Sequence, residues 1–209
     1  MTAAAQDQKH AITLKGSTDI VAEFFNYGVN SILYQRGIYP EESFTRQQKY
    51  GLTLLVTSDD KLNAYLSEVL TQVKHWLTSL TVQKLVVIIK SVETNEVLER
   101  WQFNVQCDKS YVESKEGDRS TARKVKSEKE INGEIKAVIR QITATVTFLP
   151  LIDTACEFDL LVYTDKDIDV PSTWGESGPQ FIANSEEVKL RSFNTMIHKV
   201  DTMVAYKPQ

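Results

Sequence analysis

The residues that could do chemistry are few and scattered. His10, His75 and His198 share no HxxxH spacing, and Cys107 and Cys156 form no CxxC pair. A metal centre needs several such ligands converging, so these read as dispersed surface or satisfied side chains, and neither metal nor cofactor is expected. The phosphate-cradling patterns GxGxxG and GxxxxGK[ST] are absent, as is the nucleophile elbow GxSxG. Ser177 stands between Gly175 and Gly178, but no apolar strand precedes it to build an elbow. The carboxylate pairs Asp165/Asp167 and Glu186/Glu187 lie in polar, turn-like surroundings. Nothing there would lift a carboxyl into the range of a general acid. The chain is expected not to be an enzyme.

The elements that carry these residues fit one domain. A chain of 209 residues, 42% hydrophobic and 25% charged, can bury a core without a disulfide or metal staple. Two cysteines suit a reducing compartment, the cytosol or nucleus. The start, 1–16, lacks a signal peptide's apolar centre, and the densest apolar run, 85–89, is far below the ~20 residues of a membrane helix. A net charge of −4 argues against affinity gained by neutralising phosphates. Neither nucleic acid nor membrane is an expected partner.

Residues 1–15 read as an arm whose only apolar alternation is Ile12 and Leu14. Ser17 is the expected N-cap of a first helix, with Val21, Phe24, Phe25, Val29, Ile32 and Leu33 on one face and Gly37 at its end. An irregular stretch runs to Tyr50-Gly51, then a short apolar run over 52–56. Ser58 or Asp59 caps a second helix that turns Leu62, Leu66, Val69, Val73, Trp76 and Leu77 inward. The run 85–89 has no polar face and reads as a central strand, hairpinned to an alternating strand over 97–107. The charge-dense stretch 108–127 reads as an exposed loop. Ile131, Ile135, Val138, Ile139 and Ile142 make a helical stripe, and Val146 continues it to Pro150. Arg140 and Gln141 lie off that stripe.

The C-terminal third alternates as a sheet-edge strand over 156–162. Beyond it the apolar parity changes twice, from Val188 and Leu190 to Phe193 and Ile197, then to Val200, Val204 and Tyr206. A one-residue slip turns every side chain to the other face, so no single straight strand buries them all. A bulge and a hairpin would. The expected class is α+β, with three helices on a mainly antiparallel sheet.

Several runs carry a resemblance: 31–40 (SILYQRGIYP), 48–56 (QKYGLTLLV), 97–103 (VLERWQF), 139–150 (IRQITATVTFLP), 163–167 (YTDKD), 184–188 (NSEEV), 190–193 (LRSF) and 203–207 (MVAYK). Together they make the chain resemble the spindle-checkpoint branch of the HORMA-domain family, over nearly its whole length. The resemblance implies one domain over 1–209: an arm at 1–15, a core at 16–158 and a mobile C-terminal "safety belt" at 159–209. It implies a belt with two placements. In one it pairs with a sheet edge matching 156–164; in the other it crosses to the opposite edge, and a partner peptide adds as a strand to the vacated one.

The edge residues implied are Phe158, Asp159, Leu160, Leu161, Val162 and Tyr163. Phe193, Ile197, Val200, Val204 and Tyr206 are the implied belt residues, and Ile12 and Leu14 the grip of the arm. Arg140, Gln141 and Phe148 match the surface through which an open and a closed copy pair. Ser177, Ser185 and Thr202 match phosphate acceptors. The implied partners are a coiled-coil checkpoint scaffold at kinetochores, the co-activator of the anaphase-promoting complex, a second copy, and an AAA+ remodelling ATPase with its HORMA adaptor. The implied place is nucleus, kinetochore and cytoplasm. The alternative in the same fold is an adaptor for a translesion DNA polymerase. Departures from the family pattern are His10-Ala11 where glycine is common, the longer loop at 108–127, and a tail that ends early at Lys207-Pro208-Gln209.

Overall fold

The computed structural model describes residues 12–109 and 126–208. The arm before Ile12 and the middle of the expected charged loop lie outside the described residues. Helix α1 spans Leu14–Gln35. It starts three residues before the expected Ser17, because the Thr13 hydroxyl accepts the Gly16 N–H and supplies the cap. Leu14, expected in the arm, is therefore in the first helical turn, half-buried, and only Ile12 and Thr13 of the described arm lie outside the helix. The helix closes through Gly37, whose φ of 64° is left-handed, and the Ile38 N–H bonds the Leu33 carbonyl at 3.0 Å.

The stretch before Tyr50 is not irregular. Strands β1 (Phe44–Lys49) and β2 (Leu52–Thr57) form an antiparallel hairpin. Its turn is Tyr50-Gly51, with φ of 53° and 65°, the two-residue form whose twist matches the strands. Only Phe44 of β1 is buried, so the strand shows no apolar alternation to read. Helix α2 (Asp60–Thr78) starts at Asp59, whose carboxylate accepts the Leu62 N–H at 2.8 Å. Helix α3 (Glu128–Thr145) opens on a capping box of Ser127 and Glu130. It stops short of the expected Pro150: Thr147 and Phe148 donate to carbonyls three residues back, a tightened final turn.

The remaining strands are β3 (Val82–Ser91), β4 (Val97–Cys107), β5 (Cys156–Thr164), β6 (Glu186–Asn194) and β7 (His198–Tyr206). They form one antiparallel sheet in the order β5-β3-β4-β7-β6. β3 is buried on both faces: Leu85, Val87 and Ile89 meet the helical core, while Val86 and Ile88 form a smaller cluster on the other face. The double change of parity is resolved as a bulge and a turn. The β6–β7 register shifts between Lys189 and Ser192, and a turn over 195–197 returns the chain as β7. Residues 159–164, assigned to the belt from the sequence, are the second part of β5, which runs to Thr164.

Candidate functional site

Strand β5 pairs with β3 along one side and ends the sheet on the other. The Leu160 N–H is taken by the carboxylate of neighbouring Asp159 at 2.8 Å. It is thus an outward amide, and by alternation those of Phe158 and Val162 point the same way. An exposed strand edge is a template for another strand. Phe158 packs edge-on to Tyr39 and Tyr65, at 6.1 and 5.8 Å between ring centres. Burial, helped by the Asp159 charge, pushes the Tyr65 hydroxyl up to about 12, so it stays a proton donor beside the edge. Leu160 and Leu161 are buried on opposite faces, and Asp159, Val162 and Tyr163 are half-buried.

After Thr164 the chain first follows α2. The Asp165 N–H donates to the Thr81 carbonyl at 2.9 Å, and the Trp76 indole donates to the Asp169 carbonyl at 3.4 Å. Trp174 then packs edge-on to Trp76 at 4.9 Å. A cavity of about 510 Å³ opens beside it, with Ala64, Ser67 and Thr71 on the helix and Pro171, Thr173 and Trp174 on the segment. A few residues later the same segment lies on the opposite face of the sheet. The Tyr163 hydroxyl donates to the Pro179 carbonyl at 3.3 Å, the Arg100 guanidinium stacks on Phe181 at 5.2 Å, and Ile182 covers Val86, Ile88, Val97 and Leu161. The segment therefore passes from the helical layer to the far face around the β5 side of the sheet.

Its far end is held in β7, at the other side of the central hairpin. Phe193, Ile197, Val200 and Val204 are buried there, and Tyr206 is half-buried with its hydroxyl donating to Glu186 at 2.6 Å. Thr202 is buried between Val200 and Val204 and opposite Phe103, while Ser177 is exposed and Ser185 half-buried. The Ser177 hydroxyl donates to the carbonyl of Gly178 at 3.3 Å, and among the described residues no base is bonded to it. Among the described residues no group of His, Cys, Asp or Glu could hold a metal, and no helix is long and apolar enough to cross a membrane.

Arg140 on α3 is exposed, and Phe148, in the tightened turn after that helix, is 80% exposed. Gln141, expected off the apolar stripe, has a partner within the chain. Its carbonyl oxygen accepts the Arg191 N–H at 2.6 Å, so α3 holds the β6 bulge in place. The sequence reading also missed a buried ion pair between Arg36 and Glu99. The Glu99 carboxylate is joined by the Trp101 indole at 3.0 Å, and Arg36 donates to the Pro150 carbonyl at 2.6 Å. Burial raises the Glu99 carboxyl, opposed by the Arg36 charge and the indole. The signal was there: Glu99 occupies an inward position of an alternating strand. Its partner, 63 residues away on the sequence numbering, left no local trace.

A family model described as "HORMA domain" matches residues 17–198. The human mitotic spindle assembly checkpoint protein MAD2A is 62% identical over 200 residues, covering 96% of this chain and 95% of that one. The Dictyostelium discoideum protein of the same name is 60% identical over 204 residues, covering 98% and 97%. A chain in the crystal structure of the mitotic checkpoint complex superposes with a TM-score of 0.82 at 44% identity, covering 92% of this chain and 99% of that one.

Proposed function

Because the chain belongs to the HORMA-domain family, we propose that it is a spindle-assembly-checkpoint switch, which captures partner peptides by strand addition and inhibits the anaphase-promoting complex by sequestering its co-activator. One observation carries the reading: among the described residues no strand pairs with the outer edge of β5, while the segment after it passes around that same edge and is fastened across the sheet in β7. A peptide added at β5 would pair with its outward amides, displacing Asp159 from the Leu160 N–H, and would lie under the belt. Asp159 keeps that amide satisfied until then, which lowers the cost of leaving the edge free.

The partners we assign are a coiled-coil checkpoint scaffold at kinetochores and the co-activator, with an AAA+ remodelling ATPase and its HORMA adaptor acting on the switch. Its place of action would be nucleus, kinetochore and cytoplasm. A pull-down with peptides from the scaffold and from a translesion polymerase, at matched concentration, tests the reading. Capture of the checkpoint peptide alone is expected; capture of the polymerase peptide alone would replace the checkpoint reading by the adaptor one.

We assign the second-copy surface to Arg140 and Phe148, with Gln141 in the supporting role described above. Reversing the charge with Arg140→Glu should leave a folded monomer that still takes peptide, since the side chain is exposed and lies outside the core. Size exclusion at the wild-type dimer concentration checks this. A variant that still runs as a dimer would put the surface elsewhere.

A further inference from the structure

At the end of the belt farthest from β5, a buried polar cluster ties the β6–β7 turn to the first turns of α1. Ser17, Thr195 and His198 are each no more than 1% exposed. The Ser17 hydroxyl oxygen lies 2.5 Å from Thr195 Oγ1 and 2.6 Å from His198 Nδ1. The His198 N–H donates to Thr195 Oγ1 at 2.9 Å, and the Thr195 N–H donates to the His198 carbonyl at 2.9 Å, which closes the turn. The second ring nitrogen, Nε2, is buried without a well-formed hydrogen bond, and the Leu77 carbonyl in the last turn of α2 acts on it. One imidazole thus joins the belt turn to α1.

The neutral ring suits this place. With the proton on Nε2, Nδ1 accepts from the Ser17 hydroxyl, and the Thr195 hydroxyl can donate to Ser17. A charged ring would place a cation among fully buried side chains. The charged and titratable groups on the surrounding elements are Lys15 and Asp19 of α1, Lys74 and His75 of α2, Cys107 and Asp108 at the end of β4, Lys126 and Glu134 beside Asn194, and Lys199 and Asp201 of β7. Asp19 is paired with Lys74, Lys126 with Glu134, and Lys199 with Asp201. Two causes act on the ring itself: burial lowers its proton affinity, and the Leu77 carbonyl opposes that.

We propose that Ser17, Thr195 and His198 form a latch that fastens the belt hairpin to α1, and that protonation of His198 opens it, a step that rests on the reading of this segment as a belt that detaches. Ser17 donates the backbone bond to Thr13 at 2.9 Å, so the latch assembles only once the first turn of α1 is wound. The sign follows from which state binds the proton. A detached His198 has the ordinary imidazole value of about 6.5, above that of the fastened one. The fastened state keeps its full advantage above about pH 6.5 and loses it as pH falls below, by at most about tenfold per unit for one proton.

Hydrogen exchange on the full chain at pH 7.5, 6.5 and 5.5, corrected for intrinsic rates, reads this directly. Protection of the β7 amides is expected to fall by up to about tenfold between pH 6.5 and 5.5, while that of β3 holds. His198→Asn, which keeps an acceptor near Nδ1, should flatten the β7 response. Ser17→Ala should weaken β7 protection at every pH and retain the slope. Wild-type β7 protection that ignores pH, or the same slope in His198→Asn, overturns the latch. If His198→Asn does not fold, wild-type protection in Ser17→Ala at pH 7.5 overturns it instead. Loss of protection in β7 and β3 together at every pH overturns the belt reading itself.

Discussion

A chain lacking residues 200–209 should keep its three helices and the β5-β3-β4 sheet and lose all peptide capture. The deletion removes most of β7, which lies between β4 and β6 in the sheet. Among the described residues β6 pairs with β7 and with no other strand, so it loses its strand partner and keeps only its bonds to α3. Val200 and Val204, both fully buried, leave the core, at about 1.5–3 kcal/mol each. The central hairpin keeps its pairing to β5, and the packing of α1 and α2 survives. The belt would then be held at one end only. Circular dichroism should show a folded protein, and calorimetry with the scaffold peptide no heat. Affinity within about tenfold of wild type would mean that the β7 anchor has no part in capture.

The second large effect is expected from one atom's neighbourhood. Thr202 is buried on the same face as Val200 and Val204, and its hydroxyl has no hydrogen-bond partner among the described residues. The site therefore treats threonine as an apolar side chain. Thr202→Val should be neutral or mildly stabilising, because it removes an unsatisfied hydroxyl. Thr202→Asp would bury an uncompensated charge, a change of roughly 3–5 kcal/mol against the β4–β7 pairing. Peptide affinity should fall by about two to four orders of magnitude, while melting of the helices changes little. Undiminished affinity by calorimetry would exclude Thr202 as a control point. The same burial means that a phosphate could be placed there only on a detached belt, whereas Ser177 is exposed as it stands.

The sequence was most legible where burial imposes a period. The stripe of α1 and the two-faced run of β3 lie where their spacing put them, and the double parity change after Leu190 is the bulge and turn that would reconcile it. It was least legible where long-range partners decide. β1 is nearly all polar outside Phe44, so its pairing with β2 leaves no pattern. Gln141 and Arg191 are 50 positions apart, as are the partners of the Arg36–Glu99 pair by a similar margin, and neither contact has a local signature. The cap at Thr13 moved Leu14 from arm to helix because a hydroxyl three residues before Gly16 competes equally well with Ser17 as a start signal. The candidate edge itself was readable as alternation over 156–162. What encircles it was not, since 165–185 has no regular element to recognise.

That encirclement has a consequence for rates. The segment after β5 is tethered at both ends, to β5 itself and to the nine-residue strand β7. A strand seated on β5 inside such a loop, and continuing as a long chain on both sides, has no free end to thread. It can enter or leave only when β7 unpairs from β4. Arrival and departure would then share one gate, whose opening frequency belongs to this protein and not to its ligand. Ligands of very different fit should dissociate at similar speeds, and association should stop accelerating with concentration once opening is slower than encounter. A pull along the ligand would be borne by the loop rather than by the hydrogen bonds of the added strand. Residence would be a matter of topology as much as of affinity.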